Sequence, residues 1–114
     1  MSADGKAAED LVARYLVDQG LKLVERNYRC RFGEIDLILQ DGDTTVFAEV
    51  RLRSNSRFGG GAASVTPQKQ QRLIATAQHY LAGKNSSRPC RFDVIALDRL
   101  ELSRIEWIKN AFGE

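Results

Sequence analysis

Three acidic side chains, Glu34, Asp36 and Glu49, lie inside two stretches that otherwise read as buried β-strand, "GEIDLILQ" and "TTVFAEVRL". Arg51 follows Glu49 by two residues. Carboxylates this close repel one another, and burying them is costly unless something compensates. Three compensations are open: a hard divalent cation such as Mg²⁺ bridging Asp36 and Glu49, a structural ion-pair network with Arg51, or a face open to water.

The hairpin that joins these two strands decides how close the acids lie. Asp41-Gly42 between strand-like runs predicts a two-residue turn, which would place Asp36 opposite Phe47 and Glu34 opposite Glu49. Asp36 and Glu49 would then lie diagonally on one face, with backbones roughly 7–8 Å apart. Strand alternation predicts one face with Glu34, Asp36 and Ile38, and the other face with Ile35, Leu37 and Leu39.

A third carboxylate comes from the N-terminal segment. Residues 4–19 are predicted to be helical because Ala8, Leu11, Val12, Tyr15 and Leu16 recur at helical spacing. Glu9 lies at the edge of this stripe, about 20° from Leu16 on a helical wheel, so it can lean toward the sheet.

The charge pattern changes sign just after Glu49. From residue 50 to 92 the chain has no Asp or Glu, and its basic residues are Arg51, Arg53, Arg57, Lys69, Arg72, Lys84, Arg88 and Arg91. Such a segment suits a polyanion, although a solvated basic face is the alternative. An acidic pocket that borders a phosphate-attracting surface is what metal-assisted phosphodiester hydrolysis needs.

Composition bounds the remaining possibilities. With 114 residues, 43% hydrophobic and 28% charged, the chain is expected to form one domain, 1–114. It has no apolar run of about 18 residues and its N-terminus lacks a signal-peptide core, so a cytoplasmic location without membrane contact is expected. Cys30 and Cys90 have no metal-site spacing and are expected to be reduced and mostly buried.

The remaining elements complete a mixed α/β order. "LKLVERNYR" predicts the first strand, Thr66-Pro67 opens a second helix that ends before Gly83, and "CRFDVIAL" and "RIEWIKNAF" predict two further strands. The order is α-β-β-β-α-β-β, and the helix between strands three and four permits a parallel crossover.

At these residues the sequence resembles the YraN-like family of small bacterial endonuclease-like proteins, related to Holliday junction resolvases within the PD-(D/E)XK nuclease superfamily. The resemblance rests on "GKAAEDLVARYL", "NYRCRFGEIDLI", "VFAEVRLRS", "FGGGAASVTPQKQQRL" and "RFDVIAL". It implies a restriction-endonuclease-like αβββαβ core, with a mixed central sheet flanked by helices.

The resemblance also implies roles for single residues. Asp36 is similar to the motif aspartate, Glu49 to the acid of the (D/E)XK element and Glu9 to the helix-one glutamate, so these three are the expected ligands of Mg²⁺ or Mn²⁺. The family pattern has lysine where this chain has Arg51, and arginine cannot act as a general base, although it can orient water or stabilise charge. Lys69 is the hypothesis for a migrated ammonium group.

The leading hypothesis is therefore a metal-dependent endonuclease acting on DNA, with branched or structured DNA implied by the family. Asp36, Glu49, Arg51 and Lys69 would be catalytic, and Glu34 would support the ligands. The predicted nucleic-acid contacts are Arg53, Arg57, Lys69 and Arg72. Because Holliday junction resolvases act as dimers, a homodimer is expected. The alternatives are a catalytically silent nucleic-acid-binding module of the same fold and an adaptor for an acidic protein.

Four other features are expected to be structural. Gly59–Gly61 predict a loop rather than a phosphate cradle, because no nucleotide-binding motif surrounds them. Tyr28 and Phe58 fit core packing as well as stacking on bases or sugars. No partner for His79 is visible in the sequence, and Asp93 within a strand is expected to be a satisfied structural carboxylate.

Overall fold

A computed structural model describes residues 3–53, 65–84 and 87–113. The predictions for Arg57, Phe58 and Gly59–Gly61 lie outside these residues. Among the described residues, no helix is long and apolar enough to cross a bilayer.

The order of elements is the predicted one. The helices are α1 (Ala3–Asp18) and α2 (Pro67–Lys84), and the strands are β1 (Lys22–Cys30), β2 (Gly33–Asp41), β3 (Thr44–Leu52), β4 (Cys90–Leu97) and β5 (Glu106–Phe112). Gly20 follows α1 with a φ of 102°, a conformation that favours glycine and ends the helix.

The five strands form one mixed sheet in the order β1-β2-β3-β4-β5. β3 and β4 are parallel, so α2 provides the crossover between them, and the other neighbours are antiparallel. The α/β architecture with a mixed central sheet and flanking helices is thus confirmed, and it is consistent with a restriction-endonuclease-like core.

Two hydrophobic layers cover the two faces of the sheet. Val46 of β3 packs in the layer under α1, and the next residue, Phe47, packs in the layer under α2. The α1 layer has buried residues Ala8, Val12, Ala13, Leu16, Leu21, Leu37, Leu39, Val46, Ala48, Ile95 and Leu97. The α2 layer has Ile35, Ile38, Phe47, Val65, Leu73, Ala77, Tyr80, Phe92 and Val94. Glu49, two residues beyond Phe47, therefore lies on the α2 face.

The predicted hairpin register is wrong by two residues. Gln40 pairs with Thr45 and Asp41 with Thr44, so the turn is Gly42-Asp43 rather than Asp41-Gly42. Gly42 has a φ of 60° and takes the first central position, which favours glycine in one common hairpin turn.

This register corrects the predicted neighbours of the acids. Phe47 pairs with Ile38 rather than lying opposite Asp36, and the last β2–β3 pair at this end is Leu37 with Ala48. The next step along the two strands brings Asp36 and Glu49 face to face, so the predicted pairing of Glu34 with Glu49 is also wrong. A two-residue shift preserves alternation, so Asp36 and Glu49 still approach each other.

Strict alternation fails at Asp36. Ile35 packs in the α2 layer with Ile38, whereas the prediction placed it with Leu37, which packs in the α1 layer. The opposing position on β1 is Asn27, between the Arg26–Leu37 and Tyr28–Ile35 pairs, and its φ of 54° is left-handed. The break in alternation on β2 thus lies opposite a residue whose left-handed backbone departs from regular β geometry.

The cysteines follow the prediction only in part. Neither Cys30 nor Cys90 forms a disulfide, as expected. Cys30 is half-buried, but Cys90 is exposed at the start of β4, so the expectation of mostly buried thiols is wrong for Cys90.

Candidate active site

Asp36 lies where β2 and β3 cease to pair. Its Oδ2 accepts a hydrogen bond of 2.9 Å from the backbone N–H of Val50, so a carboxylate replaces a backbone carbonyl as the partner of that amide. Burial, followed by the hydrogen bond with Glu49 and the charge of Glu49, raises the pKa of Asp36 to about 9. A smaller contribution in the same direction comes from the charge of Glu9. Asp36 is therefore held protonated at neutral pH in the absence of a compensating cation.

Glu49 is the buried partner, and it is 4% exposed. Its Oε2 lies 3.1 Å from Nζ of Lys69 and 3.7 Å from Nη1 of Arg51. Two cations therefore approach one carboxylate, and the ammonium group is the closer of the two. The structure brings together Asp36, Glu49, Arg51 and Lys69, the four residues predicted to be catalytic.

The first turn of α2 fixes the position of Lys69. Oγ1 of Thr66 accepts a hydrogen bond of 3.1 Å from the backbone N–H of Lys69, and the carbonyl oxygen of Thr66 accepts one from Gln70. The predicted N-cap at Thr66, followed by Pro67, is thus confirmed. Since the cap fixes the backbone of Lys69, it also sets where the ammonium group can reach.

Glu9 reaches the sheet from α1 and is 3% exposed. Its Oε1 accepts a hydrogen bond of 3.1 Å from Nδ2 of Asn27 and lies 3.8 Å from Nη2 of Arg26. Asn27 thus combines a left-handed backbone with a side-chain amide that donates to Glu9.

Two cavities meet at the acidic pair. One, of about 190 Å³, is lined by Gly5, Ala8, Glu9, Asp36, Glu49, Val50, Arg51, Leu52 and Lys69. The other, of about 160 Å³ and on the α2 side, is lined by Gly33, Glu34, Asp36, Glu49, Lys69, Arg72 and Leu73. The first turns of both helices line the larger cavity, and helix N-termini favour anions such as phosphate.

The remaining predicted residues that the structure describes are Glu34 on β2, Arg72 on α2 and Arg53 just after β3. Glu34 is engaged by Arg29, with Nε 2.7 Å from Oε2, and lines the α2-side cavity. Arg72 is exposed and lines the same cavity. Arg53 is half-buried directly after β3, where its backbone N–H donates to the carbonyl oxygen of Leu97.

The acidic pair suits a hard divalent cation in its chemistry. Mg²⁺ commonly takes one or two carboxylates and completes its shell with water and phosphate oxygens. A cation between Asp36 and Glu49 would remove the repulsion that raises the pKa of Asp36. Within the described part of the chain, no three His, Cys, Asp or Glu side chains form a ready metal site. Asp36 and Glu49 are the two acids in contact at this site, and the roles of these two and of Glu9 as metal ligands stay predictions.

Sequence reasoning missed Asn27 and the partner of His79. Asn27 is an asparagine within a strand, where asparagine is disfavoured, and this is the signal that marks it. His79 shares a hydrogen bond of 2.6 Å between its Nδ1 and the hydroxyl of Tyr28. Tyr28 itself packs against Tyr80, so the core-packing alternative describes it.

Comparisons with known proteins agree on one family. The model of the uncharacterised protein family UPF0102 matches residues 8–97. A UPF0102 protein of Nitrosomonas europaea is 57% identical over 96% of this chain and 93% of its own length. Similar proteins occur in Methylobacillus flagellatus, with 55% identity over 96% of both chains, and in Ralstonia nicotianae, with 56% identity over 98% of this chain and 88% of the relative. The chain therefore belongs to UPF0102, the YraN-like family that its motifs predicted.

Proposed function

We propose that this protein is a metal-dependent endonuclease that hydrolyses phosphodiester bonds in DNA, with Asp36 and Glu49 as the residues that hold Mg²⁺ or Mn²⁺. The observation that carries the proposal is the contact between these two acids. Burial, the hydrogen bond with Glu49 and the charge of Glu49 raise the pKa of Asp36 to about 9, and a divalent cation is the simplest compensation for such a pair.

The surrounding residues have distinct roles in this proposal. The bound cation would polarise the phosphate and lower the pKa of a water molecule. Lys69, 3.1 Å from Glu49, orients that water and stabilises negative charge on the phosphate. Arg51 acts as a fixed positive charge, since arginine keeps its proton. Glu9 and Glu34 border the site on opposite sides, as a further ligand and as a support.

The nucleic acid would be held by the basic residues around the site. Arg72 lines the α2-side cavity and so borders the acidic pair, and Arg53 follows β3 directly in the same basic segment. Arg57 extends the same basic segment. Each such contact with a phosphate releases counterions, so binding should weaken steeply with salt.

A cleavage assay tests the proposal. Duplex, flap and four-way DNA are incubated with Mg²⁺, Mn²⁺ or EDTA, and nicking is followed on gels. Cleavage is expected only with a divalent cation and is expected to fall at least about 100-fold in Asp36→Asn. Asp43→Asn, at the exposed hairpin turn, is the matched control and should cut normally. If no substrate is cut, or if Asp36→Asn cuts as well as the wild type, the proposal fails.

Three extensions of the proposal have tests of their own. We include the flap and four-way substrates because branched DNA is the proposed target, and light scattering at the assay concentration tests the proposed homodimer. Localisation of a tagged chain tests the proposed cytoplasmic site of action. Each extension can fail without affecting the chemistry at Asp36 and Glu49.

A silent nucleic-acid-binding module is the second candidate. It is favoured by the contacts of Glu49, which already has Lys69 at 3.1 Å and Arg51 at 3.7 Å and so belongs to an ion-pair network. Salt-dependent binding of DNA without cleavage in either metal would select this candidate. Because this network needs no metal ion, Mg²⁺ would then leave the thermal midpoint of the protein unchanged.

A further inference from the structure

Phe32 presents an aromatic ring at the surface beside the candidate active site. It lies in the turn between β1 and β2 and is 38% exposed. Among the described residues, no other phenylalanine, tyrosine or tryptophan is exposed. Single exposed hydrophobic residues are common, so the surroundings of this ring have to carry any inference.

The ring of Phe32 is held by two neighbours. The guanidinium carbon of Arg31 lies 4.8 Å from the ring centroid, and the ring of His79 approaches at 6.1 Å with an interplanar angle of 65°. His79 is in turn anchored by its hydrogen bond with the hydroxyl of Tyr28. A ring that is already fixed loses little conformational freedom when a ligand binds.

The ring forms one wall of a cleft against α2. This cleft has a volume of about 360 Å³ and is lined by Phe32, Gln68, Gln71, Arg72 and Ala75. The volume is within the range of roughly 300–1,000 Å³ that is typical of small-molecule sites. Glutamine amides can donate and accept hydrogen bonds at the edge of a heterocycle, and α2 has no acidic residue. The cleft therefore combines an aromatic face, polar edge groups and positive charge.

The cleft and the acidic site share one lining residue. Arg72 lines both this cleft and the cavity that contains Asp36 and Glu49. Gly33, which follows Phe32, lines the cavity of the acids. Its φ of 150° and its lack of a side chain let the β1–β2 turn lie directly on α2. A Cβ at this position would be 3.2 Å from Oγ1 of Thr76.

We propose that Phe32 stacks an unpaired nucleobase in this cleft, so that the substrate has an unpaired nucleotide next to the phosphate at Asp36 and Glu49. The inference rests on the proposed function, since it assumes that the acidic site receives a nucleic acid. Every nucleobase has a face that can stack on an aromatic side chain, whereas the bases of an intact duplex already stack on each other. Arg72 lies between the cleft and the acids, where it would contact the phosphate of the stacked nucleotide.

The test measures binding, so that it does not depend on cleavage. Fluorescence anisotropy compares the affinity for a duplex with a single-stranded tail, a blunt duplex of equal charge, and tailed duplexes with one abasic position moved along the tail. The measurements are made in the Asp36→Asn background, so that the DNA stays intact. The tailed duplex is expected to bind more tightly, and one abasic position is expected to weaken binding at least about fivefold.

Variants at Phe32 identify the residue responsible. Phe32→Ala is expected to weaken binding of the tailed duplex by the same factor and to remove the effect of the abasic position, whereas Phe32→Trp retains both. Leu100→Ala, which also removes an exposed hydrophobic side chain, is the matched control and should bind as the parent does. A duplex with an RNA tail tests whether the stacked base comes from DNA or RNA. Phe32-dependent binding of either tail supports stacking.

The outcomes separate this inference from the proposed function. Equal affinity of tailed and blunt duplexes, or an abasic effect that persists in Phe32→Ala, overturns the stacking inference while the cleavage assay decides the nuclease proposal independently. Absence of binding to every DNA and RNA probe by the wild-type chain overturns both. Phe32-dependent stacking without cleavage in Mg²⁺ or Mn²⁺ supports the binding site and overturns only the hydrolysis.

Discussion

At the scale of single residues, the site is defined by an unfavourable contact that the fold maintains. Asp36 and Glu49 are brought together by β2 and β3, although burial and like charge both oppose ionisation of Asp36. The amide of Val50 offsets part of this cost by donating to Asp36. Functional sites in many proteins lower the stability of the fold, because the arrangement needed for activity is seldom the most stable one.

The first prediction concerns the pH dependence of stability. The pKa of Asp36 rises from 3.8 to about 9 on folding, so between these values the folded state holds a proton that the unfolded chain releases. This contribution to stability is fully present below about pH 4 and is lost as the pH rises toward 9. Asp36→Asn is expected to remove that dependence and to raise stability at pH 8, without divalent cations, by on the order of 1–3 kcal/mol.

Urea titrations from pH 5 to pH 9 in EDTA measure this effect. Asp43→Asn, which changes an exposed acid, should give a curve parallel to that of the wild type. If the Asp36→Asn curve is also parallel, the raised pKa of Asp36 is wrong.

The second prediction separates Lys69 from Arg51. Because the ammonium group of Lys69 is the closer cation to Glu49, Lys69→Ala is expected to lower the rate of cleavage about 100-fold. Lys84→Ala removes a lysine at the other end of α2 and should leave the rate unchanged. Single-turnover kinetics at saturating DNA is the measurement, since it removes differences in binding. A fully active Lys69→Ala variant would assign the role to Arg51 instead.

At the scale of elements, the position of each functional group depends on how a helix or strand begins or ends. α2 begins at a proline with Thr66 as its cap, and this turn carries Lys69. β2 and β3 stop pairing after Leu37 and Ala48, which exposes the acids to the cavities. The site thus lies where the β2–β3 ladder ends, while β3 continues to pair with β4 and β2 with β1.

The third prediction tests the cap of α2. Thr66→Ala removes the acceptor for the backbone N–H of Lys69 and is expected to destabilise the protein by about 1 kcal/mol. Thr66→Ser keeps the hydroxyl and should retain most of the stability. Chemical denaturation gives the free energy, and hydrogen exchange of the Lys69 amide tests whether the loss is local. Equal stability of the alanine and serine variants would exclude a capping role.

Local signals in the sequence predicted the elements, but not the geometry between them. The cap at Thr66 and the break at Gly20 depend on side chains a few residues apart, so the start of α2 and the end of α1 follow from the sequence. The predicted end of α2 before Gly83 is wrong, because the helix continues to Lys84. The hairpin register depended on which turn Gly42 adopts, and two turn types accept this glycine at different positions. The break in alternation at Asp36 lies opposite Asn27 on another strand, and the pairing of these two positions is not visible in the sequence of β2 itself.

At the scale of the whole molecule, a buried acid outside the candidate site links β4 and β5. Asp93 of β4 is 0% exposed and accepts hydrogen bonds from Arg91, from Nε1 of Trp107 at 2.9 Å and from the backbone N–H of Asn110 at 2.9 Å. The left-handed backbone of Asn110 lies near the irregular step in β4–β5 pairing. In agreement with the sequence prediction, Asp93 is a satisfied structural carboxylate, and it is unlike Asp36, whose nearest acid opposes its charge.

The fourth prediction contrasts this acid with a surface one. Asp93→Asn turns an acceptor into a donor opposite three donors and is expected to destabilise the protein by about 3 kcal/mol or more. Asp98→Asn breaks the ion pair with Arg104 near the surface and should destabilise the protein far less, because solvent screens this pair. Thermal unfolding followed by circular dichroism gives both values, and similar losses in the two variants would contradict the structural role of Asp93.

The hydrogen bond from Val50 to Asp36 also gives the protein an internal spectroscopic reporter. Most amides in a sheet face carbonyl oxygens whose charge is constant, but this one faces a group whose charge changes with pH and with cation binding. The ¹H–¹⁵N resonance of Val50 should therefore move when Asp36 loses its proton or when a cation arrives. A titration of that single signal would follow the protonation and cation occupancy of the site in the protein alone, without cleavage of a nucleic acid.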